Sequence, residues 1–288
     1  MEYKNSEAIN PKKDWVFKLM FSKGDEGNKA LISFLNAFLE EFYGKIRKAD
    51  ILNTELTRES PNGETYHLDL LVKTDNSLIV NLEMQQFWKN SFPRRNQLYL
   101  MRTASRFLKQ KTKEGDLLYA IGLTVFGCSV PETAALPVMN DDSIIQFIYV
   151  ALNELIDYTI KKDISDYTAK DFWIRFLSNY EQDKQSGILE KLCTLEEGLK
   201  MAETTLCRVT EEERRIAWEL SEQNYREILA AEREEGEALG FEKGAYRNKL
   251  ETVKNMTAMH FPIAAISGAT GLSETEIKNL QSEPKALF

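Results

Sequence analysis

Three side chains early in the chain, Asp69, Glu83 and Gln85, have the types and spacing to hold a hard divalent cation. Glu83 and Gln85 stand two apart in Ile79-Val80-Asn81-Leu82-Glu83-Met84-Gln85, an apolar and partly β-branched run that reads as a strand. Residues two apart on a strand share a face. Asp69 belongs to the preceding segment, Tyr66 to Thr74, which reads as the neighbouring strand, and its parity partners there are His67, Leu71 and Lys73. Two carboxylates on adjacent strands beside a third oxygen ligand suit Mg2+ or Mn2+, which keeps several waters and takes its remaining ligands from a substrate phosphate. Such an ion activates water and offsets the charge that builds on phosphorus.

The arrangement makes a demand on the turn between the strands. With a two-residue Asp75-Asn76 loop, Asp69 would pair with Leu82 and point away from Glu83. An odd loop, for instance Asp75-Asn76-Ser77, pairs Asp69 with Glu83 and brings both carboxylates to one side. An odd loop or a bulge is therefore expected.

The next element adds cations. From Gln97 to Lys113 the pattern is helical, and at 100° per residue Arg95, Arg102, Arg106, Lys109 and Lys113 fall in one stripe with Tyr99 beside them. Leu100, Met101, Ala104, Phe107 and Leu108 are expected on the opposite side. No acidic residue lies between Glu83 and Glu114. A solvated helix face ordinarily mixes Lys and Arg with Glu, so an unrelieved basic stripe points to a polyanion backbone, where each arginine can grip a phosphate through two donors. Whole-chain charge hides this. The net is −8, yet residues 1–130 carry 19 Lys and Arg against 16 Asp and Glu, and residues 131–288 carry 18 against 29.

Around these residues the elements follow from periodicity. Residues 14–21 and 28–43 read as helices, the latter with Leu31, Ile32, Leu35, Phe38, Leu39 and Phe42 at three- and four-residue spacing. Leu118 to Phe126 and Ile144 to Leu152 read as further strands. Residues 10–155 thus form an α/β domain with a mixed sheet flanked by helices. A helical, acidic extension follows over 156–235, with helices at 169–180, 188–203 and 211–235. Gly236, Gly240 and Gly244 then mark a linker over 236–248, expected as a hinge, with close helix packing in a homo-oligomer as the alternative. Residues 249–288 have helix–turn–helix spacing around Thr270-Gly271, with a capping box from Ser273 to Glu276. Four lysines and four glutamates leave that unit without a basic face, so a DNA-reading helix is not expected there.

Other chemistries lack their residues. His67 and His260 are the only histidines, which leaves no zinc set and no His-centred triad. No G-x4-G-K-[ST] loop is present. Cys128, Cys193 and Cys207 are odd in number and far apart, as expected of reduced thiols in a cytoplasmic protein. Neither a signal peptide nor a membrane span is read. Trp88 and Phe87, between Gln85 and the basic helix, could stack on a base.

The ordered set Asp14-Trp-Val-Phe-Lys18-Leu-Met-Phe21, Phe34-Leu-Asn36-Ala-Phe-Leu39, His67-Leu-Asp69, Asn81-Leu-Glu83-Met-Gln85, Arg95-x3-Tyr99 and Thr270-Gly-Leu-Ser-x2-Glu-Ile277 resembles the Rpn family of PD-(D/E)XK nuclease-family transposases. The resemblance implies a restriction-endonuclease-like core and divalent-metal-dependent DNA cleavage, in a bacterial mobile-element or defence setting. It carries catalytic roles onto Asp69, Glu83 and Gln85. In the wider superfamily the position of Gln85 is a lysine; Rpn-type proteins have glutamine there too, which can orient water or lend an oxygen but brings no charge. The superfamily often adds an acid from the first helix, for which Asp14 and Glu26 are candidates, and Lys73 is a candidate for the missing cation. The expectation is an Mg2+-dependent DNA endonuclease. A non-catalytic docking module with self-association through the C-terminal helices is the alternative, and RNA cleavage a third.

Overall fold

The computed structural model describes residues 9–52, 55–56, 66–67, 70–108, 119–132, 134, 136 and 143–282. The elements in chain order are α1 (Asp14–Ser22), α2 (Gly24–Tyr43), β1 (Ala49–Leu52), β2 (Glu55–Leu56), β3 (Tyr66–His67), β4 (Leu70–Thr74), β5 (Leu78–Gln85), α3 (Phe92–Leu108), β6 (Tyr119–Phe126), β7 (Ile145–Ala151) and α4 (Leu152–Thr159). Then come α5 (Ala169–Gln185), α6 (Ile188–Leu195), α7 (Glu197–Cys207), α8 (Glu211–Ala258), α9 (Ile263–Thr270) and α10 (Glu274–Ser282). The chain divides into two compact units, Met1–Tyr225 and Arg226–Phe288.

The first unit is built on a five-stranded mixed sheet in the order β1-β4-β5-β6-β7. The β1–β4 and β4–β5 pairs are antiparallel, whereas β5, β6 and β7 are mutually parallel. A parallel pair needs a crossover, and α3 supplies it between β5 and β6. Because side chains alternate across a strand, the sheet has two different faces. Leu78, Val80, Leu82 and Met84 of β5 join Ile121, Leu123 and Val125 of β6 in the main core, packed with Phe17, Phe21, Phe34 and Trp173 from the helices. The odd-numbered residues of β5 look the other way, toward α3. There Ile79 and Leu71 pack with Tyr99, and Ala120 packs with Leu100 and Ala104. At Gly122 an added Cβ would stand 3.1 Å from both Leu100 Cδ2 and Phe147 Cδ1, so bare backbone lets α3 lie close on the sheet.

The hairpin between β4 and β5 has the odd loop. Leu70 pairs with Leu82, Leu71 with Asn81, Val72 with Val80 and Lys73 with Ile79, which leaves Asp75-Asn76-Ser77 as a three-residue turn. Ser77 takes the left-handed conformation, φ 64°, that closes such a turn. The loop is fastened from outside. Asp75 Oδ1 accepts the backbone N–H groups of Arg47 at 3.0 Å and Lys48 at 3.1 Å, and Asn76 Nδ2 donates to Tyr43 O at 3.1 Å. Asn36 then ties α2 to the chain before β1, exchanging two 2.8 Å hydrogen bonds with the backbone of Ile46.

Several expectations change. The strand expected over 66–74 is described as β3 and β4, with Leu68 and Asp69 outside the described residues. The short β1 and α4 carried no usable period in the sequence. The helix expected over 188–203 breaks at Glu196, which leaves helical geometry (φ −125°, ψ 110°) and caps α7 through Gly198 N–H. The linker expected over 236–248 is helical: Gly236, Gly240 and Gly244 all lie inside the 48-residue α8.

In the second unit Val253, Ile266, Leu272 and Ile277 form a small core. Gly271 adopts φ 69° and caps α9, and Ser273 and Glu276 exchange the hydrogen bonds of the capping box.

A left-handed conformation costs a non-glycine residue about 1–2 kcal/mol and is worst for a branched side chain. Ser77→Gly should therefore keep or raise stability, while Ser77→Val should lose about 1–2 kcal/mol, read from the midpoints of urea denaturation.

Candidate active site

The face of β5 turned toward α3 becomes polar where the hairpin ends. Glu83 sits there at 5% exposure, an unusual place for a carboxylate, since burying a charge without partners is expensive. Two amides from the same strand face flank it. Asn81 Nδ2 donates to Glu83 Oε1 at 2.9 Å, and Gln85 Nε2 stands 3.5 Å from Glu83 Oε2, a long hydrogen bond.

The polar row continues across the sheet. Thr124 of β6 is paired with Glu83, and Tyr149 of β7 is paired with Thr124. From above, Asn96 of α3, 1% exposed, donates to Thr124 Oγ1 at 3.4 Å and hydrogen bonds to Tyr149. Burial pushes the Tyr149 phenol above its ordinary range, the Asn96 amide pulls it back, and the Glu83 carboxylate adds to the rise. Tyr149 is thus a neutral hydroxyl at neutral pH. Three atoms in this layer, Asn81 Oδ1, Asn96 Oδ1 and Thr103 Oγ1, are buried with no hydrogen-bond partner among the described residues.

The sequence-predicted residues divide as follows. Glu83 and Gln85 share the α3 face of β5, as expected. Asp69, Lys109 and Lys113 lie outside the described residues. Arg102 and Arg106 are exposed on α3, and Arg95 is half-buried with its guanidinium 6.0 Å from the Tyr99 ring centre. The orientation of that helix needs correction. Its buried side is Phe92, Asn96, Tyr99, Leu100, Thr103 and Ala104, while Met101 is exposed. The buried stripe includes two polar residues, which is why hydrophobicity alone misplaced it. Tyr99 packs toward β4 and β5 whereas Leu100 and Ala104 pack toward β6, so the arginine row, on the Tyr99 flank, follows the β4 side of the helix.

The auxiliary candidates have other attachments. Lys73 pairs with Ile79, four residues along β5 from Glu83, about 13 Å at the rise of a strand, and its side chain is exposed. Asp14 accepts from Lys18 Nζ at 3.0 Å and from Ser221 Oγ at 2.8 Å. Glu26 pairs with Arg208; its own backbone N–H and that guanidinium hold its carboxyl below the usual range. Trp88 packs against Phe92 and Phe126, while Phe87 is exposed. Among the described residues no three His, Cys, Asp or Glu side chains come together as a metal set. The expected set needs Asp69 and counts an amide, Gln85, as its third member. The donors that are described are hard oxygens and amides around one buried carboxylate, a chemistry that fits a hard divalent ion and not zinc.

Asn81, Asn96, Thr124 and Tyr149 were missed from sequence. Only Asn81 carried a signal, its parity with Glu83; the others are assembled by strand pairing and by the packing of α3.

A family model described as PD-(D/E)XK nuclease family transposase matches residues 11–231. The chain belongs to that family. No curated protein and no solved structure matches it. The matched stretch of this PD-(D/E)XK nuclease-family transposase takes in the whole five-stranded sheet, and its mixed sheet flanked by helices is consistent with the nuclease-like fold. Membership gives it a nuclease- or transposase-related function with DNA as the implied substrate, in a superfamily that generally uses divalent metals. No helix of the described residues is long and apolar enough to cross a membrane.

Thr103 is fully buried on α3 with its hydroxyl lacking a partner among the described residues. Replacing it by the similarly shaped valine removes a desolvated polar group, so Thr103→Val should stabilise the protein by about 1 kcal/mol in thermal or urea unfolding. A loss of stability would mean that solvent satisfies the hydroxyl.

Proposed function

We propose that the chain is a divalent-metal-dependent DNA endonuclease centred on Glu83, acting in transposition, recombination or defence. The observation that carries this reading is a carboxylate 5% exposed, held by amides, on the sheet face covered by a helix bearing Arg95, Arg102 and Arg106. A buried carboxylate is costly in a strand that has only to fold. Support for the second ligand comes from the hairpin: its three-residue loop is of the odd length that the sequence required for Asp69 and Glu83 to share a face.

In this reading Asp69 and Glu83 hold Mg2+ or Mn2+, which when bound supplies Lewis acidity at the scissile phosphate. Gln85 directs one amide hydrogen toward Glu83, and its carbonyl oxygen accepts from the attacking water and orients it. Having no charge, Gln85 adds less transition-state stabilisation than a lysine would. Arg95, Arg102 and Arg106, together with Lys109 and Lys113, hold the phosphate backbone, the described arginines doing so along the β4 side of α3.

Purified protein should nick supercoiled plasmid with Mg2+ or Mn2+ but not with EDTA, and Glu83→Ala or Asp69→Ala should each abolish nicking while leaving DNA binding intact. Salt-sensitive binding without any cleavage by the unaltered protein would instead favour the docking reading. Arg102→Ala combined with Arg106→Ala should weaken DNA binding and flatten the slope of log affinity against log salt by about 2.

A further inference from the structure

Asn81 is buried for a reason that folding does not supply. It is 1% exposed in the middle of β5, between Val80 and Leu82, where an aliphatic side chain would serve the sheet as well or better. Its Oδ1 has no hydrogen-bond partner among the described residues, an unfavourable arrangement for a buried acceptor. The other end of the same amide is engaged, donating from Nδ2 to Glu83 Oε1 at 2.9 Å. The residue thus joins a carboxylate on one side to an unsatisfied acceptor on the other.

We propose that Asn81 is a positioning residue for a divalent cation at Glu83, an inference that rests on the metal-site reading above. Glutamate has three side-chain torsions, and the terminal one, which turns the carboxylate plane, is only weakly restricted by sterics. Hydrogen bonds must set it. Gln85 contributes one at 3.5 Å, on Oε2, whereas Asn81 contributes the shorter one, on Oε1. The Asn81 bond, the shorter of these two, thus helps set which way the Glu83 oxygens face, and with an ion bound its Oδ1 would be placed to accept a hydrogen from one of the ion's waters. Its own strand fixes this placement, because residues 81, 83 and 85 project from one face of β5.

Outer hydrogen-bond partners of this kind change metal affinity by roughly 10–100-fold. The test is Mn2+ binding to the full chain without DNA, by titration calorimetry, for the unaltered protein, Asn81→Ala, Asn81→Ser and a Glu83→Ala control. Both Asn81 variants are expected to bind Mn2+ about 10–100-fold more weakly. In plasmid nicking they should need correspondingly more Mg2+ for half-maximal rate, with the rate at saturating metal largely restored. Circular dichroism identifies which variant is folded; serine retains a polar side chain too short to reach Glu83. Affinity within twofold of the unaltered protein in a folded variant overturns the proposal while leaving the metal site standing. Absence of Mn2+ binding by the unaltered protein, or equal binding by Glu83→Ala, overturns the metal-site reading and this inference with it.

Discussion

The parity of the β4–β5 hairpin governs the rest of the molecule. A strand offers two faces, and a loop shorter by one residue would exchange them between partners. With three residues in the loop, Leu71 and Asn81 lie side by side beneath α3, and Leu82 and Leu70 lie side by side in the main core. The chain secures this register at some distance from where it matters. Asp75 and Asn76 are tied to backbone groups before β1, and Asn36 ties that segment to α2. A hydrogen-bonded corner thus determines what the opposite end of the hairpin can do.

The two faces divide the labour of folding and chemistry. One carries the aromatic and aliphatic core shared with α1, α2, α5, α6 and α7, where burial of large side chains supplies the stabilisation. The other accepts a buried carboxylate and three polar atoms without partners among the described residues, each of them unfavourable. A stable core on one side lets the sheet tolerate such groups on the other. Local rules of sequence–structure agreement are broken there and kept elsewhere, the pattern expected where function competes with stability.

Much of this was legible in the sequence because the responsible signals are periodic. The α2 stripe emerges except at its last member, Phe42, which is 64% exposed at the end of the helix; the apolar run of β5 and the capping box before α10 emerge as expected. Short elements such as β1 and α4 offer too few residues for a period. On α3 the polarity pattern misled, because Asn96 and Thr103 face inward. Glycines in a polar stretch looked like a break, yet their neighbours, rich in Glu, Ala, Lys and Arg, are strong helix formers and α8 continues through them. At the site, Glu83 and Gln85 could be paired by spacing. Thr124 and Tyr149 reach the same row only through pairing between strands distant in sequence, which no local pattern records.

The contact at Gly122 gives the site an unexpected mechanical weak point. Leu100 rests where a methyl group would otherwise be, so the depth at which α3 sits is set by a hydrogen atom. The helix carries Asn96 on its underside and the arginine row on its flank. A side chain at Gly122 would press on Leu100 and Phe147 by a few tenths of an ångström, and whatever the Leu100 side chain did not absorb would pass to α3 and to both of these at once. The alignment of grip and chemistry is therefore a single tolerance, held at a residue that takes part in neither.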